Sequence, residues 1–228
     1  MFKPNQDNFI TFPDFCGDSS KSLFAVCDGH GAKGHLVSNF IRNNLPSFSI
    51  ITMKITHFLL ENIEAQYNGN NQNIPEILKQ GFLRTNAQLA TSNIDARFSG
   101  STLVSVLISG EKLWCANVGD SRAILVRCVN DSWSAHPLSN DHKPGNSGEL
   151  ERINNSGGRV EPYRDPNGNP IGPDRVWLKD DNVPGLAMSR SIGDFVANRA
   201  GVIAEPGILI TKMLPHIFRN PQIRPDSR

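Results

Sequence analysis

The sequence predicts an α+β fold in which helices cover layers of antiparallel β-sheet. Apolar residues recur at helical spacing in the first 90 residues, and four β-rich segments follow one another closely between residues 102 and 138. Strands joined by such short connections are expected to pair antiparallel, because a parallel pair needs a crossover of about a dozen residues or more. No linker rich in Pro, Gly or Ser divides the 228 residues, so helices and strands are expected to belong to one domain.

The first part of the chain is predicted to hold two strands and three helices. Residues 8–12 and 24–27 are predicted strands, and the second ends in the glycine-rich turn Asp28-Gly29-His30-Gly31. Helical spacing then covers three segments, which are 36–45 up to Pro46, 55–63 up to an Asn/Gly run, and a segment that starts near Pro75 with Leu78, Phe82 and Leu89 on its inner face.

The second part is predicted to be a β-meander followed by a short helix. The strands are expected at 102–108, 112–118, 122–127 and 133–138. The helix is expected to begin at the N-cap Asn146, with Glu149 in the capping-box position, and to end at Gly157-Gly158. Residues 165–175 are rich in Pro and Gly and are expected to form a loop.

The composition excludes several classes of protein. The 23 Lys and Arg against 22 Asp and Glu give a formal net charge of +1, without the basic excess that binds nucleic acid or anionic lipid. The sequence has neither an apolar run of the roughly 20 residues that span a bilayer nor a signal-peptide pattern. Its four cysteines form no C-x-x-C pair and are expected to be small core residues. A reduced, intracellular protein, cytoplasmic or nuclear, is therefore expected.

The charge is distributed unevenly along the chain. Beyond residue 211, four basic residues stand against Asp226, so this tail carries +3 and the first 211 residues carry −2. The tail also contains Pro215, Pro221 and Pro225, and its sequence follows neither a helical nor a strand period. Residues 212–228 are therefore expected to be disordered or misplaced.

Three aspartates are candidates for a metal site because each lies at the end of a predicted strand. Asp7 opens the first strand, Asp28 follows the second, and Asp120 lies in a turn of the meander. Carboxylate and carbonyl oxygens are the ligands that Mg²⁺ and Mn²⁺ prefer. Taken singly, Asp28-Gly29 is more often a simple turn, Asp120 can cap its hairpin, and Asp7 is more often solvated. His30 alone is more often a surface or turn histidine than a catalyst.

Seven short motifs follow one another along the chain. They are NQD at 5–7, FAVCDGHG at 24–31, SGSTLV at 99–104, ANVGDSRAIL at 116–125, LSNDHKP at 138–144, ELERINNSGGRV at 149–160 and RVWLKDDNVPGLAMSRSIGDF at 175–195. In this order they resemble the type 2C, metal-dependent serine/threonine protein phosphatases. The resemblance covers about residues 3 to 208, and the order of the motifs is far more specific than any one of them.

The resemblance implies two antiparallel β-sheets sandwiched between helix pairs, with a binuclear Mn²⁺ or Mg²⁺ centre in a cleft at one edge. It implies that Asp28 bridges both metal ions, that the carbonyl of Gly29 is a ligand of one, and that Asp7 reaches a metal directly or through water. Asp120 matches a residue that helps to hold a third, weaker metal ion. His30 matches the general acid that protonates the leaving serine or threonine oxygen.

Two residues near the N-terminus have less certain matches to the family pattern. Lys3 is the nearest candidate for the cation that steadies the phosphate, although its register does not clearly match. Gln6 stands where many members have Glu, which limits it to a supporting role beside the metal ligands.

The remaining matched residues are expected to be structural. Ser101 and Thr102 are expected to satisfy buried backbone groups at a strand start. Arg190 and Asp194 are expected to tie the chain after the flap to the sheet. The flap itself, the irregular stretch 160–182, is variable in the family and would influence the choice of substrate.

The chain departs from the family pattern in two late motifs. The Asp-Gly-x-Trp-Asp strand end and the later Asp-Asn pair, each of which supplies a metal carboxylate in the family, are not found after Ala204-Glu205-Pro206. Residues 1–211 are therefore expected to be a partial type 2C catalytic domain, truncated at its C-terminus. Fewer carboxylates neutralise two divalent ions less well, so weak metal binding and activity near background are expected for this chain.

Two functions are compatible with these features. The first is hydrolysis of phosphoserine and phosphothreonine in phosphoprotein substrates by a metal-activated water, carried out by a monomer. The second is a catalytically weak or inactive phosphatase-like domain that binds a partner or a phosphoprotein. A metal-dependent nuclease is disfavoured because the chain has no basic stripe for a nucleic-acid backbone.

Overall fold

The fold is built on a seven-stranded antiparallel sheet, seen in a computed structural model that describes residues 4–47 and 73–213. The strands are β1 (Asp7–Phe12), β2 (Lys21–His30), β3 (Gly100–Ser101), β4 (Leu103–Ser109), β5 (Lys112–Val118), β6 (Ile124–Val129), β7 (Ser132–Pro137), β8 (Gly158–Arg164), β9 (Pro170–Leu178), β10 (Pro184–Leu186), β11 (Ile192–Gly193) and β12 (Gly207–Lys212). The main sheet has the order β11-β3-β2-β4-β5-β12, and β1 pairs with the other edge of β2. β2 is therefore paired along both of its edges.

Three helices accompany the strands in the described part of the chain. They are α1 over 34–47, α2 (Ile74–Ala90) and α3 (Ser147–Asn155). The helix predicted after Pro75 is confirmed, since the side chain of the N-cap Asn73 accepts a hydrogen bond from the backbone N–H of Glu76 at 3.3 Å and Pro75 lies in the first turn. The helix predicted around 36–45 is α1. The helix predicted at 55–63 lies outside the described residues.

The main core lies between α1, α2 and one face of the seven-stranded sheet. Leu23, Ala25 and Cys27 of β2 alternate with exposed residues and are all buried, as the period of a half-buried strand requires. The helices cover them with residues at helical spacing, which are Val37, Ile41 and Leu45 of α1 and Ile74, Ile77, Leu78, Phe82 and Leu89 of α2.

The β6–β7 hairpin covers only part of the opposite face of this sheet. It closes a small apolar cluster formed by Val104, Leu113, Cys115, Leu138 and Met213. Phe9, Phe24 and Val26 lie on the same face by the strand register, yet they stay exposed. The sheet therefore has one face that the helices cover except towards its edges, where Phe12 and Ile210 are exposed, and one face that is only partly covered.

A second sheet, β8-β9-β10, contains most of the segment expected to be irregular. The prediction of a loop over 165–175 is wrong for residues 170–175, which belong to β9 and pair with β8. Proline is tolerated there because β9 pairs with β10 only near Val176 and Trp177, and the β8–β9 register shifts between Glu161 and Tyr163. The flap expected at 160–182 is thus largely a regular hairpin.

The hairpin of the flap carries two stacked pairs of aromatic and guanidinium groups. Arg175 lies 4.6 Å from the ring centroid of Tyr163, and Arg159 lies 5.5 Å from that of Trp177. Tyr163 and Trp177 contact each other edge to face at 5.0 Å. These contacts across β8 and β9 favour a defined hairpin over an irregular loop.

The start of α3 differs from the predicted capping box. The side chain of Asn146 donates to the carbonyl of Asp141 at 2.9 Å, and within the described part of the chain it makes no cap hydrogen bond to the helix. Glu149 is buried and accepts hydrogen bonds from Ser189 and Arg190. Tertiary partners have therefore replaced the local capping contact that the spacing predicted.

Two further expectations concern the cysteines and the end of the chain. Cys27 and Cys115 are buried, and burial raises the pKa of each thiol to about 12, but Cys128 is exposed and its assignment to the core is wrong. The side chain of Cys16 is not among those that the structure describes.

β12 continues through Lys212, and the backbone N–H of Met213 donates to the carbonyl of Glu111. The tail beyond Met213 lies outside the described residues.

The described helices and strands confirm the predicted α+β class. Across 4–47 and 73–213, no helix is both long enough and apolar enough to cross a membrane.

Candidate active site

Asp7 and Asp28 face each other across the first pair of strands. They are directly opposed in the antiparallel register of β1 and β2, and both are exposed residues. Partial burial is the largest cause that raises the pKa of the Asp28 carboxyl, and the Asp7 carboxylate raises it further through its charge and a hydrogen bond. A cation placed between the two carboxylates would relieve this repulsion.

Thr102, which separates β3 from β4, fixes the backbone of Asp28. The N–H of Thr102 donates to the carbonyl of Asp28, and the N–H of Asp28 donates to the hydroxyl of Thr102, each at 3.0 Å. The same hydroxyl lies 2.6 Å from that of Ser121, in the turn that carries Asp120. The hydroxyl of Ser101 donates to the carbonyl of Thr102. Ser101 and Thr102 therefore satisfy buried backbone groups, as expected.

Gly29 lies where two backbone segments approach closely. Its N–H donates to the carbonyl of Gln6 at 3.1 Å, and a Cβ at this position would lie 2.5 Å from the carbonyl oxygen of Gly34. Gln6 is buried, and its amide donates to the carbonyl of Gly31 at 3.0 Å. Steric crowding alone accounts for a glycine here, and its carbonyl as a metal ligand stays a prediction. Gln6 supports the turn that follows Asp28.

His30 ends β2 and contacts the buried carboxylate of Asp194. Its Nε2 lies 2.6 Å from Oδ2 of Asp194. Burial by itself would lower the pKa of His30, but the hydrogen bond and charge of Asp194, together with the charges of Asp28 and Asp120, outweigh it and raise the pKa. A raised pKa keeps the imidazolium populated at higher pH, which suits a group that donates a proton.

The role of Asp194 at this site was missed at the level of sequence. It was expected only to tie the chain after the flap to the sheet, yet it contacts His30, which is 164 residues away in sequence. The hydroxyl of Ser191 also donates to Asp194 at 2.6 Å, and a Cβ on Gly100 would overlap the carboxylate. The sequence signal that could have pointed to it is the SIGD motif at 191–194. In the structure, the aspartate of this motif is buried and follows a glycine at positive φ.

Asp120 acts on the same group of side chains through its charge but already has a partner. It occupies the turn between β5 and β6, and Nζ of Lys143 contacts its Oδ2. Its charge contributes to the raised pKa of both Asp28 and His30. Lys3, the predicted phosphate-binding residue, lies outside the described residues.

The described residues fit part of a site for a divalent cation. Asp7 and Asp28 offer oxygen ligands of the kind that Mg²⁺ and Mn²⁺ prefer, and their mutual repulsion favours a bound cation. Within the two described ranges, however, no three His, Cys, Asp or Glu side chains are grouped closely enough to hold a metal ion. The three predicted carboxylates therefore form a pair, Asp7 and Asp28, and a separate ion pair of Asp120 with Lys143.

Arg190 is structural, as expected. Its guanidinium donates to Glu149 at 2.6 Å and to the carbonyl of Glu205 at 2.8 Å, so it links α3 to the chain before β12. Burial alone would raise the pKa of Glu149, but hydrogen bonds from Arg190, Arg152 and Ser189 outweigh it and lower the pKa. This network links α3 to the segment from Ser189 to Glu205.

Comparison with known proteins agrees with the order of the motifs. The family model described as "Protein phosphatase 2C" matches residues 2–216. Two similar relatives from Arabidopsis thaliana are named "Probable protein phosphatase 2C 35", 35% identical over 95% of this chain, and "Probable protein phosphatase 2C 52", 36% identical over 89%. The matches cover 62% and 47% of those relatives. The chain thus spans about half the length of the curated relatives it matches.

Two solved structures have a similar fold. The serine-threonine phosphatase 2C from Toxoplasma gondii matches 94% of this chain and 71% of its own, with a TM-score of 0.75 and 17% identity. A sex determining protein of C. elegans matches 94% of this chain and 46% of its own, with a TM-score of 0.69 and 18% identity. At these identities the likeness concerns the fold alone, and it confirms the expected mixed α+β fold of antiparallel sheets and helices.

Proposed function

The chain belongs to the protein phosphatase 2C family, and on that premise we propose that its site hydrolyses phosphoserine and phosphothreonine in proteins. The observation that carries the proposal is the pair of opposed carboxylates, Asp7 and Asp28, on the same two strands that present His30. A phosphomonoester is extremely slow to hydrolyse, so a site must supply positive charge to its oxygens and a proton to its leaving group.

Asp28, Asp7 and the carbonyl of Gly29 are the residues that would hold the metal ions. When bound, Mn²⁺ or Mg²⁺ supplies a Lewis acid that lowers the pKa of a water and offsets phosphoryl charge. The two carboxylates are held in register by the β1–β2 ladder, and Thr102 fixes the backbone of Asp28. Their spacing therefore depends on the sheet and not on a mobile loop.

His30 would protonate the leaving serine or threonine oxygen. Its raised pKa favours the protonated ring, and the contact with Asp194 fixes the ring orientation. Asp194 lies behind the ring and is a positioning residue.

A second candidate function is a phosphatase-like binding domain with weak or absent turnover. It is favoured by one observation, which is that the described residues do not bring three metal-ligating side chains together. A two-carboxylate site holds divalent ions weakly, because most of their ligands are then water. Such a domain would bind a phosphoprotein without hydrolysing it at an appreciable rate.

The two candidates are separated by measuring binding and turnover on the 228-residue chain. We expect slow release of phosphate from a phosphothreonine peptide that depends on millimolar Mn²⁺ and falls by at least about tenfold in Asp28→Asn. Asp131→Asn, which removes the same charge in the β6–β7 turn, is the matched control and should leave the rate unchanged. Peptide binding without any Mn²⁺-dependent release would favour the second candidate.

A further inference from the structure

His30 and Asp194 meet across a row of three adjacent strands. In the antiparallel register, His30 of β2 lies opposite Gly100 of β3, and Gly100 lies opposite Gly193 of β11. Asp194 follows Gly193 directly, and its Oδ2 lies 2.6 Å from Nε2 of His30. A side chain on Gly100 would overlap this carboxylate. The contact between ring and carboxylate therefore depends on how the chain turns at the end of β11.

The turn at the end of β11 has a backbone conformation that is unfavourable for an aspartate. Gly193 has a φ of 94° and Asp194 a φ of 48°, so two successive residues have positive φ. A residue with a Cβ adopts positive φ at a cost in free energy, and it stays there when contacts around it hold the backbone. The orientation of the Asp194 carboxylate therefore depends on the hydrogen bonds that fix this turn.

Two backbone N–H groups of this turn are bound by two different segments of the chain. The N–H of Asp194 donates to the carbonyl of Ser99 at 2.9 Å. The N–H of Gly193 donates to Oδ1 of Asn86 in α2, also at 2.9 Å, across 107 residues of sequence. The first acceptor belongs to the backbone and the second to a side chain. A substitution can therefore remove the bond from α2 and leave the other bond in place.

The position of Asn86 is set by the core. Phe82 and Leu89, about one helical turn before and after it, are 1% and 0% exposed and belong to the main core. Thr85, its neighbour in α2, is also fully buried. The helix packs against β11. Oδ1 of Asn86 is therefore presented to the turn by a rigid element and not by a loop.

We infer that Asn86 is a positioning residue for His30, on which it acts through the Gly193–Asp194 turn. The inference rests on the proposed function, in which His30 protonates the leaving oxygen. Without the acceptor from Asn86, the turn can relax towards negative φ, and the carboxylate then moves away from Nε2 of His30. The ring loses the partner that orients it, so proton transfer to a poor leaving group becomes slower.

The first measurement follows the contact itself, by NMR of the full 228-residue chain without metal or substrate. We expect Asn86→Ala to speed the exchange of the His30 Nε2 proton and of the Asp194 amide proton with water by about fivefold, as the loss of one hydrogen bond predicts. Asn86→Asp keeps an acceptor at the same position and should restore the slow exchange. Gln88→Ala, at an exposed position of the same helix, should leave both protons unchanged.

The second measurement compares two substrates that differ in their need for a proton. The p-nitrophenolate ion leaves with little protonation, whereas the alkoxide of threonine requires it. We expect Asn86→Ala to slow Mn²⁺-dependent hydrolysis of a phosphothreonine peptide by about fivefold and that of p-nitrophenyl phosphate by less than about twofold. In Asp194→Asn, the further change Asn86→Ala should have little effect on either rate, because both residues act through the same contact.

Two results would overturn the inference. One is unchanged exchange of both protons in Asn86→Ala, and the other is an equal slowing of the two substrates in an active chain. Asn86→Gln displaces the acceptor by one methylene and gives the same comparison where Asn86→Ala does not fold. Failure of the proposed function would be seen separately, as the absence of Mn²⁺-dependent phosphate release from the parent chain. The exchange measurements need neither metal nor turnover, and they then decide the role of Asn86.

Discussion

His30 and Asp194 illustrate how one buried carboxylate defines the chemistry of a neighbouring ring. The raised pKa of His30 means that the folded protein binds its proton more tightly than the unfolded chain does. The stabilisation from this proton is therefore fully present below the unfolded pKa of about 6.5 and is lost as the pH rises through the folded pKa.

Asp194→Asn is expected to lower the pKa of His30. The substitution keeps a group that can contact Nε2 but removes the charge that favours the imidazolium. The measurement is an NMR titration of the ring protons of His30. Asp95→Asn, which removes an exposed carboxylate paired with Arg97, should leave the titration of His30 in place. An unchanged pKa in Asp194→Asn would refute this view of the pair.

The lowered pKa of His142 predicts that the protein loses stability on mild acidification. It is buried, and burial is the main cause that lowers its pKa to about 4, with Arg190 adding to the effect. Between about pH 6.5 and 4 the unfolded chain binds the proton and the folded chain does not, so stability falls as the pH falls through this window. The lowered pKa of Glu149 adds a further loss only below about 4.5.

Urea unfolding at pH 7 and pH 5 measures this loss. His142 contributes a loss of up to about 2 kcal/mol between these two pH values, which the raised pKa of His30 partly offsets in the parent chain. His142→Asn should lose markedly less, since an amide oxygen can replace Nδ1 as acceptor for the N–H of Gly119 without titrating. Equal losses of unfolding free energy between pH 7 and pH 5 in the two proteins would show that other groups govern the acid sensitivity.

At the scale of elements, Thr102 lies between β3 and β4 and connects both strands to the acidic site through its hydrogen bonds to Asp28. Thr102→Val keeps the shape of the side chain and removes the acceptor for the N–H of Asp28. A buried N–H left without a partner costs roughly 1 to 3 kcal/mol, so the free energy of unfolding should fall by about that amount. Thr11→Val, on the exposed side of β1, should change it by less than about 0.5 kcal/mol. Denaturant unfolding of both variants tests the difference.

The elements differ in how far local sequence determines them. α2 follows from its apolar spacing and its Asn73–Pro75 start, because both signals act within one or two turns. The β8–β9 hairpin was missed because its prolines occupy an edge and a register shift that only the pairing reveals. The capping box of α3 failed for a similar reason, since Glu149 found its partners about 40 residues away.

The residues of the candidate site differ in the same respect, since some could be identified from sequence motifs and others could not. Asp7, Asp28 and His30 could be identified from motif order, and their strand positions bring them together. Asp194 and Lys143 could not be assigned their partners from sequence, because each acts through a long-range contact that no periodicity encodes.

At the scale of the whole molecule, the apolar surface is unevenly covered. The strand register places Ile124, Val126 and Trp133 on the outer face of the β6–β7 hairpin, where they are 56%, 45% and 73% exposed. Contiguous exposed apolar surface of this kind favours association between molecules.

Trp133→Ser is expected to reduce concentration-dependent association without lowering the melting temperature. The side chain is exposed, so its removal reduces the apolar area of the surface and removes few contacts from the core. Light scattering over a series of protein concentrations provides the measurement. Ile171→Ser replaces another apolar residue that is more than half exposed, in the other hairpin, and should scatter as the parent chain does. Equal scattering by all three proteins would exclude the β6–β7 face as the surface of association.

Because β2 is paired along both of its edges, the site residues that it carries lie in the part of the protein that opens most rarely. Asp28, Gly29 and His30 sit on a strand that cannot leave the sheet without breaking ladders on both sides. Their amide protons should therefore exchange with solvent only in rare, global openings. An inhibitor that binds only a loosened form of this site would therefore find few molecules in that form.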